Sequence, residues 1–256
     1  MILARMAGIG SDFTRRLLVD AGIAAGMRVL DVGCGSGDVA LFCRELVGKA
    51  GSVAGIDRDA APLALARNRA SELRLANVVF SQSDIENLSP EAGLFDAVVG
   101  RRVLMYQRDS VEAIRRLARV LRPGGLMVFQ EHDTTMVPAS LLPMPLHQRV
   151  QGWMRQTLER EGADLHMGFN LHRVLTEGGL TVDAVRAEAI VQTPGAPYPV
   201  ATIIRAMLPR IVKHGVASEE EIGIETLDQR LDQERASVNT TYIGDMMFGA
   251  WAGKPG

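Results

Sequence analysis

The sequence predicts an α/β protein: a mostly parallel, seven-stranded sheet flanked by helices, with helical insertions after the fifth and sixth strands. Three observations predict it. Through residues 27–131, short apolar segments alternate with longer helical patterns, the rhythm of repeated β-α-β units. The first apolar segment, Val29-Leu30-Asp31-Val32, runs directly into Gly33-Cys34-Gly35-Ser36-Gly37, and that loop opens a helix. After Glu131 the alternation stops, prolines stand at 138, 143 and 145, and helical periodicity takes over.

Taken in order, Ser11–Val19 reads as a helix with Phe13, Leu17 and Leu18 on one face and Gly22 past its end. A first strand over Met27–Val32 precedes a helix over Asp38–Val47. A second strand over Ser52–Asp57 precedes a helix over Ala60–Leu73. A third strand covers Val78–Gln82 and a fourth Phe95–Val99, followed by a helix over Ser110–Leu121 and a fifth strand over Leu126–Glu131. Arg122-Pro123-Gly124-Gly125 reads as the turn between those last two. Helices are then expected over His147–Arg160 and Gly168–Gly178, and a sixth strand over Thr181–Val191. A Pro-rich turn (Thr193–Pro199) leads to an apolar helix (Val200–His214) and an acidic helix (Ser218–Arg235), which Ser218 and Glu221 open as a capping box. Tyr242–Trp251 is the last strand, and no internal repeat is visible.

Composition removes several classes. A chain of 256 residues, 47% hydrophobic, suits one α/β domain with an appendage. Its net charge of −2 provides no electrostatic footprint for nucleic acid. The absence of a long apolar run argues against a membrane span. Residues 1–10 carry Arg5 and lack a clear apolar segment with a cleavage site, so no signal peptide is expected. Cys34 and Cys43 lack metal-like spacing and read as small buried residues of a reducing compartment, which implies the cytoplasm and no metal. A monomer or homodimer is expected.

The glycine loop selects the cofactor. A dinucleotide fingerprint needs a small residue three positions after its second glycine; here Asp38 stands there, and a carboxylate repels phosphate. No Gly-Lys-Ser/Thr follows, so the loop is not a phosphate loop either. A cationic cofactor fits better. S-adenosylmethionine carries a sulfonium and an ammonium, toward which Asp31 and Asp38 are favourable. Asp57 closes the second strand about twenty residues further on, where a carboxylate accepts ribose hydroxyls. Asp84 ends the segment Val78–Asp84, placed for an adenine amino group with Ile85 against the ring.

These motifs resemble the class I S-adenosylmethionine-dependent methyltransferases, in particular small-molecule enzymes of the menaquinone/ubiquinone-biosynthesis type and their secondary-metabolism relatives. The resemblance rests on Val29–Gly37, Gly55-Ile56-Asp57, Ser83-Asp84, Phe95–Gly100 and Leu121–Val128, in order and at the expected spacing. It covers residues 10–135 strongly, and 168–192 and 240–252 weakly. It implies a Rossmann-like single methyltransferase domain over 1–256, with a cofactor-binding core at 10–133 and a helical lid built from 134–167 and 193–240. Gly33, Cys34, Gly35 and Gly37 then line the methionine half of the cofactor, and Asp31 either faces its cationic end or braces the loop. Asp57 binds the ribose, Arg58 flanks the adenine, Asp84 and Ile85 hold it, and Arg101 supplies a backbone contact to the amino end.

The implied activity is methyl transfer to a small, apolar or aromatic metabolite, on O, N or C, in secondary metabolism, with S-adenosylhomocysteine as product. Two alternatives stand beside it: a cofactor-retaining enzyme of this fold that catalyses a cyclisation or rearrangement, and a non-catalytic cofactor-binding protein. Nucleic-acid methylation is disfavoured, because Gly100-Arg101-Arg102-Val103 stands where an Asn-Pro-Pro-Tyr-like motif would.

For the chemistry, Glu131-His132-Asp133 follows the fifth strand at its carboxyl end, and His132 is the leading acid–base candidate. Adjacent residues on an extended chain point in alternating directions, so the triplet is a poor metal site. Tyr106, after the fourth strand, is the second catalytic candidate. His147, Trp153, His166 and Tyr242 are expected to touch the acceptor. Met154, Met167, Phe169, Met207 and Tyr198 fit either an apolar acceptor surface or ordinary packing of a helical cap. Arg101, Arg102 and Arg108 either bind an acidic acceptor or form a solvated surface.

Overall fold

A computed structural model of the chain describes residues 11–88, 94–136, 139–195 and 198–256. The stretch on which the signal-peptide reading rests, Pro138, and the middle of the Pro-rich turn lie outside them.

The elements run in the order α1 (Ser11–Asp20), β1 (Arg28–Val32), α2 (Asp38–Val47), β2 (Ser52–Asp57), α3 (Ala60–Glu72), β3 (Val78–Gln82), β4 (Phe95–Arg101), α4 (Ser110–Val120), β5 (Leu121–Asp133), β6 (Ala139–Ser140), α5 (Pro145–Arg160), α6 (Met167–Glu177), β7 (Thr181–Gln192), α7 (Val200–Lys213), α8 (Glu219–Ile222), α9 (Ile224–Val238) and β8 (Tyr242–Gly253). The sheet has eight strands in the order β3-β2-β1-β4-β5-β8-β6, with β7 also paired to β8. The eighth is β6, a two-residue strand antiparallel to the start of β8; two residues carry no readable alternation.

The chain divides into two compact units. The first holds residues 1–131, 167–187 and 248–256. Its sheet is parallel where β1 meets β2 and β4, and where β4 meets β5, with Asp31 beside Gly55 on one side and Val99 on the other. Val29, Leu30, Val32, Ala97, Val98 and Val99 are all buried. Unbroken apolar runs of this kind are what strands covered on both faces require. The helices read accordingly: α4 buries Ala113, Ile114, Leu117 and Val120, and Asp109 caps it by accepting the Glu112 N–H at 2.9 Å.

One strand differs from its expected bounds. β5 starts at Leu121, which pairs with Phe95, and the ladder shifts register before Leu126 meets Ala97. The Pro-Gly-Gly segment is therefore an irregularity within the strand and not a separate turn. Gly124 N–H donates to Lys254 O at 3.0 Å and Lys254 N–H to Gly125 O at 2.9 Å.

The second unit holds residues 132–166 and 188–247. Its core is helical: Val150 and Trp153 from α5, Ile204, Met207 and Ile211 from α7, and Leu227 and Leu231 from α9 pack in one apolar cluster. The expected single acidic helix breaks at Gly223. There φ is 54°, in the left-handed region that favours glycine, and the residue ends α8 while opening α9. Ser218 caps α8 as the sequence suggests, accepting the Glu221 N–H at 3.1 Å. No helix among the described residues is long and apolar enough to cross a membrane.

Candidate active site

At the carboxyl end of β1 the chain turns through the glycine loop. Gly35 takes φ 50°, and a side chain there would meet nothing within 4 Å, so the backbone borders open space. Gly37 is glycine for another reason: a Cβ would stand 2.9 Å from the Phe80 ring and 3.2 Å from Ala66 Cβ. Asp57, the last residue of β2, ties the loop down. Its Oδ2 accepts the Gly35 N–H at 2.8 Å and its Oδ1 the Asp59 N–H at 3.0 Å. A carboxylate accepts about four hydrogen bonds, so Asp57 keeps capacity for hydroxyl donors.

Asp31 is the most unusual group. It is 1% exposed, and among the described residues neither carboxylate oxygen makes a well-formed hydrogen bond; the Ala40 backbone N–H lies near enough to pull its pKa down. Burial pushes its pKa up to about 8, against the opposing pull of the Arg101 guanidinium. A buried carboxylate left unpaired is costly and is kept where a ligand completes it. Around it, Arg101 Nη2 lies 3.3 Å from Asp38 Oδ2, and its Nη1 lies 3.5 Å from Thr14 Oγ1. Thr14 in turn donates to Gln130 Oε1 at 2.6 Å, while Gln130 Nε2 has no hydrogen-bond partner among the described residues. Burial lowers the Arg101 pKa, as does neighbouring Arg102, with Asp38 and Asp31 opposing.

Asp38 corrects the sequence reading. Arg69 takes its Oδ1 at 2.7 Å and Arg101 its Oδ2, so two guanidinium groups occupy the carboxylate expected to face a cationic cofactor. Cys34 is buried, and burial pushes its thiol pKa up. Arg58 is exposed. Asp84 Oδ1 accepts the Asn87 N–H at 2.9 Å and its amide at 2.8 Å, capping the turn after β3, and Ile85 is buried. Arg101 reaches the site by its side chain, whereas the resemblance implied its backbone.

After β4, Arg102 adopts φ 58°, a conformation that costs a non-glycine residue about 1–2 kcal/mol. The turn it makes aims two N–H groups, from Val103 and Leu104, at Glu131 Oε1, at 2.9 and 2.8 Å. Glu131 is fully buried, and burial raises its pKa to about 7 against those amides. The next residues, Leu104–Tyr106, form a single 3-10 turn that leaves Tyr106 39% exposed. The triplet at the end of β5 alternates as a strand must: Glu131 and Asp133 are buried and His132 is half-buried.

Within the second unit, the expected acceptor residues separate. Trp153, 4% exposed, packs in the helical core. His147 is likewise taken up by structure: its Nδ1 lies 2.7 Å from Glu234 Oε2, and Glu234 also accepts the Leu146 and His147 N–H groups, each at 2.9 Å. A carboxylate on the first N–H groups of α5 is favourable. Burial lowers the His147 pKa, with Glu234 opposing. The Tyr242 ring lies 5.0 Å from that of His147, and its buried hydroxyl has no hydrogen-bond partner among the described residues. His166 is exposed, beside Thr135 and Asp133. The sequence reading missed Thr14, Gln130 and Glu234. Gln130 alone left a local signal, as a polar residue ending the apolar run Leu126–Phe129.

A buried carboxylate one residue before the end of the first strand, a glycine loop pinned by the acid ending the second, and a parallel order turning at β1/β4 define a ligand-binding α/β class. Within that class the chain belongs to the methyltransferase domain family, whose model matches residues 23–183. It is 31% identical to the aklanonic acid methyltransferase DauC of a Streptomyces species, over 56% of this chain and 74% of that one. It is 36% identical to the ubiquinone biosynthesis O-methyltransferase of Acinetobacter baylyi, over 43% of this chain and 45% of that one. The chain spans about half the length of several curated relatives it matches. Its fold is that of phosphoethanolamine N-methyltransferase 2 of Haemonchus contortus, solved with S-adenosylhomocysteine: TM-score 0.59 at 19% identity, over 96% of this chain and 53% of that one.

Proposed function

We propose that the protein is an S-adenosylmethionine-dependent methyltransferase acting on a small, apolar or aromatic metabolite, working in the cytoplasm as a monomer or homodimer. The observation that carries the reading is Asp31: a buried carboxylate with no well-formed hydrogen bond among the described residues, beside a glycine loop, in a chain of this family. An ammonium completes Asp31 as a phosphate could not, and the Arg101 guanidinium beside it suits the α-carboxylate of the same methionine end. Asp57 receives ribose hydroxyls on its remaining lone pairs. Asp84 and Ile85 take the adenine edge and face.

When bound, the cofactor supplies a methyl group already activated on a sulfonium. The chain's own part is positioning, which holds the nucleophile in line at about 3 Å. Glu131 contributes by fixing the turn that carries Tyr106. His132 is the acid–base group of this reading and Tyr106 its second catalytic residue, with His147, Trp153, His166 and Tyr242 as acceptor contacts. The names of the relatives point to hydroxylated aromatic and polyketide acceptors, so catechol and aklanonic acid are the first probes. Incubation with S-adenosylmethionine and each probe, read by mass spectrometry, is expected to add one methylene unit and release S-adenosylhomocysteine. Conversion without mass change favours the rearrangement reading. Failure to bind S-adenosylmethionine at all overturns the proposal.

A further inference from the structure

Strand register places three polar side chains on one face of the first unit's sheet. Asp31 on β1 pairs with Val99 on β4, and Arg101 on β4 pairs with Gln130 on β5. Residues paired across parallel strands share a face, and so do residues two apart on one strand. Asp31, Arg101 and Gln130 therefore stand in a row on the same face, where β1 and β4 end. The side-chain contacts agree. Thr14 of α1 lies over the row: Arg101 Nη1 is 3.5 Å from its hydroxyl, and that hydroxyl donates to Gln130 Oε1 at 2.6 Å. Thr14 and Gln130 are each 2% exposed.

The amide of Gln130 is only half used. Its carbonyl oxygen is taken by Thr14, which leaves the nitrogen as the end turned away from α1. That Nε2 is buried and has no hydrogen-bond partner among the described residues. An unpaired donor is costly in a strand whose neighbouring side chains, Phe129 and Glu131, are fully buried, and such a group is kept where a ligand completes it. The amide nitrogen and the guanidinium offer donors only, so together they call for an acceptor, and the positive charge of Arg101 favours an anionic one. Asp31, on the same face, calls for the opposite charge. A carboxylate and an ammonium on one carbon answer both.

We propose that Gln130 is a cofactor-recognition residue whose Nε2–H donates to the α-carboxylate of S-adenosylmethionine beside the Arg101 guanidinium, with Thr14 as the positioning residue that orients the amide. The inference rests on the function proposed above and adds a source of selectivity to it. The chain reads the amino-acid end of the cofactor through two adjacent strands, by charge from Arg101 and by a directed hydrogen bond from Gln130. A ligand that lacks the carboxylate leaves the amide as it is in the unliganded chain.

Calorimetry on the full-length chain tests this with three probes: S-adenosylhomocysteine, its decarboxylated analogue, and methylthioadenosine, which lacks the whole amino-acid end. Millimolar ligand is used for the weaker two. Gln130→Met keeps the side chain's size and removes the donor. It is expected to weaken S-adenosylhomocysteine binding about 10–100-fold, the worth of a hydrogen bond to a charged group, and to leave the other two within about twofold. Gln130→Glu keeps an acceptor for Thr14 but sets a carboxylate, held ionised by Arg101, against that of the ligand. It is expected to weaken S-adenosylhomocysteine at least as much, with the decarboxylated analogue unchanged or tighter; this variant decides if Gln130→Met does not fold. Thr14→Val is expected to lower affinity for S-adenosylhomocysteine alone, and Thr14→Ser to restore it. Equal losses for all three probes would make Gln130 a packing residue and overturn the proposal, as would wild-type affinity for S-adenosylhomocysteine in Gln130→Met. A wild type that binds none of the probes overturns the cofactor reading itself, and the Gln130 assignment with it.

Discussion

The two units of the molecule place their polar groups in different ways. In the first, Asp31, Asp57, Asp84 and Arg101 each lie within two residues of the end of successive strands, so one rule of topology places them along one edge. In the second, polar pairs join residues far apart in sequence: Glu234 caps α5 at His147, 87 positions away, and Arg235 reaches Gln192 over 43. A cofactor of fixed chemistry can be met by short motifs repeated along a parallel sheet. A unit built from helices assembles its polar groups only through long-range packing, and many of those groups serve the packing itself.

Four experiments break or sharpen that comparison. The largest effect is expected from Ile204→Ala in the second unit's core, where removal of a fully buried side chain costs about 2–5 kcal/mol in denaturant unfolding. A loss below 1 kcal/mol would remove α7 from any load in that core. Asp57→Ala comes next, in the first unit. Losing a carboxylate that holds Gly35 and is proposed to meet ribose hydroxyls is expected to weaken S-adenosylmethionine binding about 10²-fold in equilibrium dialysis, about 2.7 kcal/mol. Unchanged affinity would detach Asp57 from the cofactor.

Asp31→Asn tests the orphan carboxylate through pH. Its folded pKa of about 8 lies above the ordinary value of 3.8, so between them the native state binds more protons than the unfolded state. Stability of the unliganded protein therefore falls as pH rises through that window. Glu131, at about 7, and Asp245, at about 6, act with the same sign. Asn has no proton to lose, so the variant's melting temperature is expected to fall less with rising pH than the wild type's. Identical slopes would contradict the buried, unpaired state. The smallest effect belongs to Ser218→Ala, the α8 cap, at about 1 kcal/mol in thermal unfolding with cofactor binding untouched.

How far the sequence was legible follows the same division. The apolar run of β1, the glycines after it and the acids at strand ends were readable because each signal lies within a few residues. Asp38 was misread because its partners, Arg69 and Arg101, are 31 and 63 positions away and their guanidiniums satisfy it. The bounds of β5 were missed because Leu121 finds its partner, Phe95, across a register shift that glycine and proline hide. Trp153 packs in an apolar core and His147 pairs with Glu234, both through α7 or α9 neighbours invisible from α5 alone. Gly223 could have been read as a helix stop, since an isolated glycine in a helical pattern is a cap signal.

The central claim is that the first unit is built around a sulfonium cofactor, and calorimetric titration tests it most directly. The purified chain would be titrated in parallel with S-adenosylmethionine, S-adenosylhomocysteine and NAD. The account predicts saturable one-to-one binding of the first two and no heat from the third. Binding of NAD alone would contradict it, and would mean that the loop at Gly33 and the unpaired Asp31 serve a different ligand.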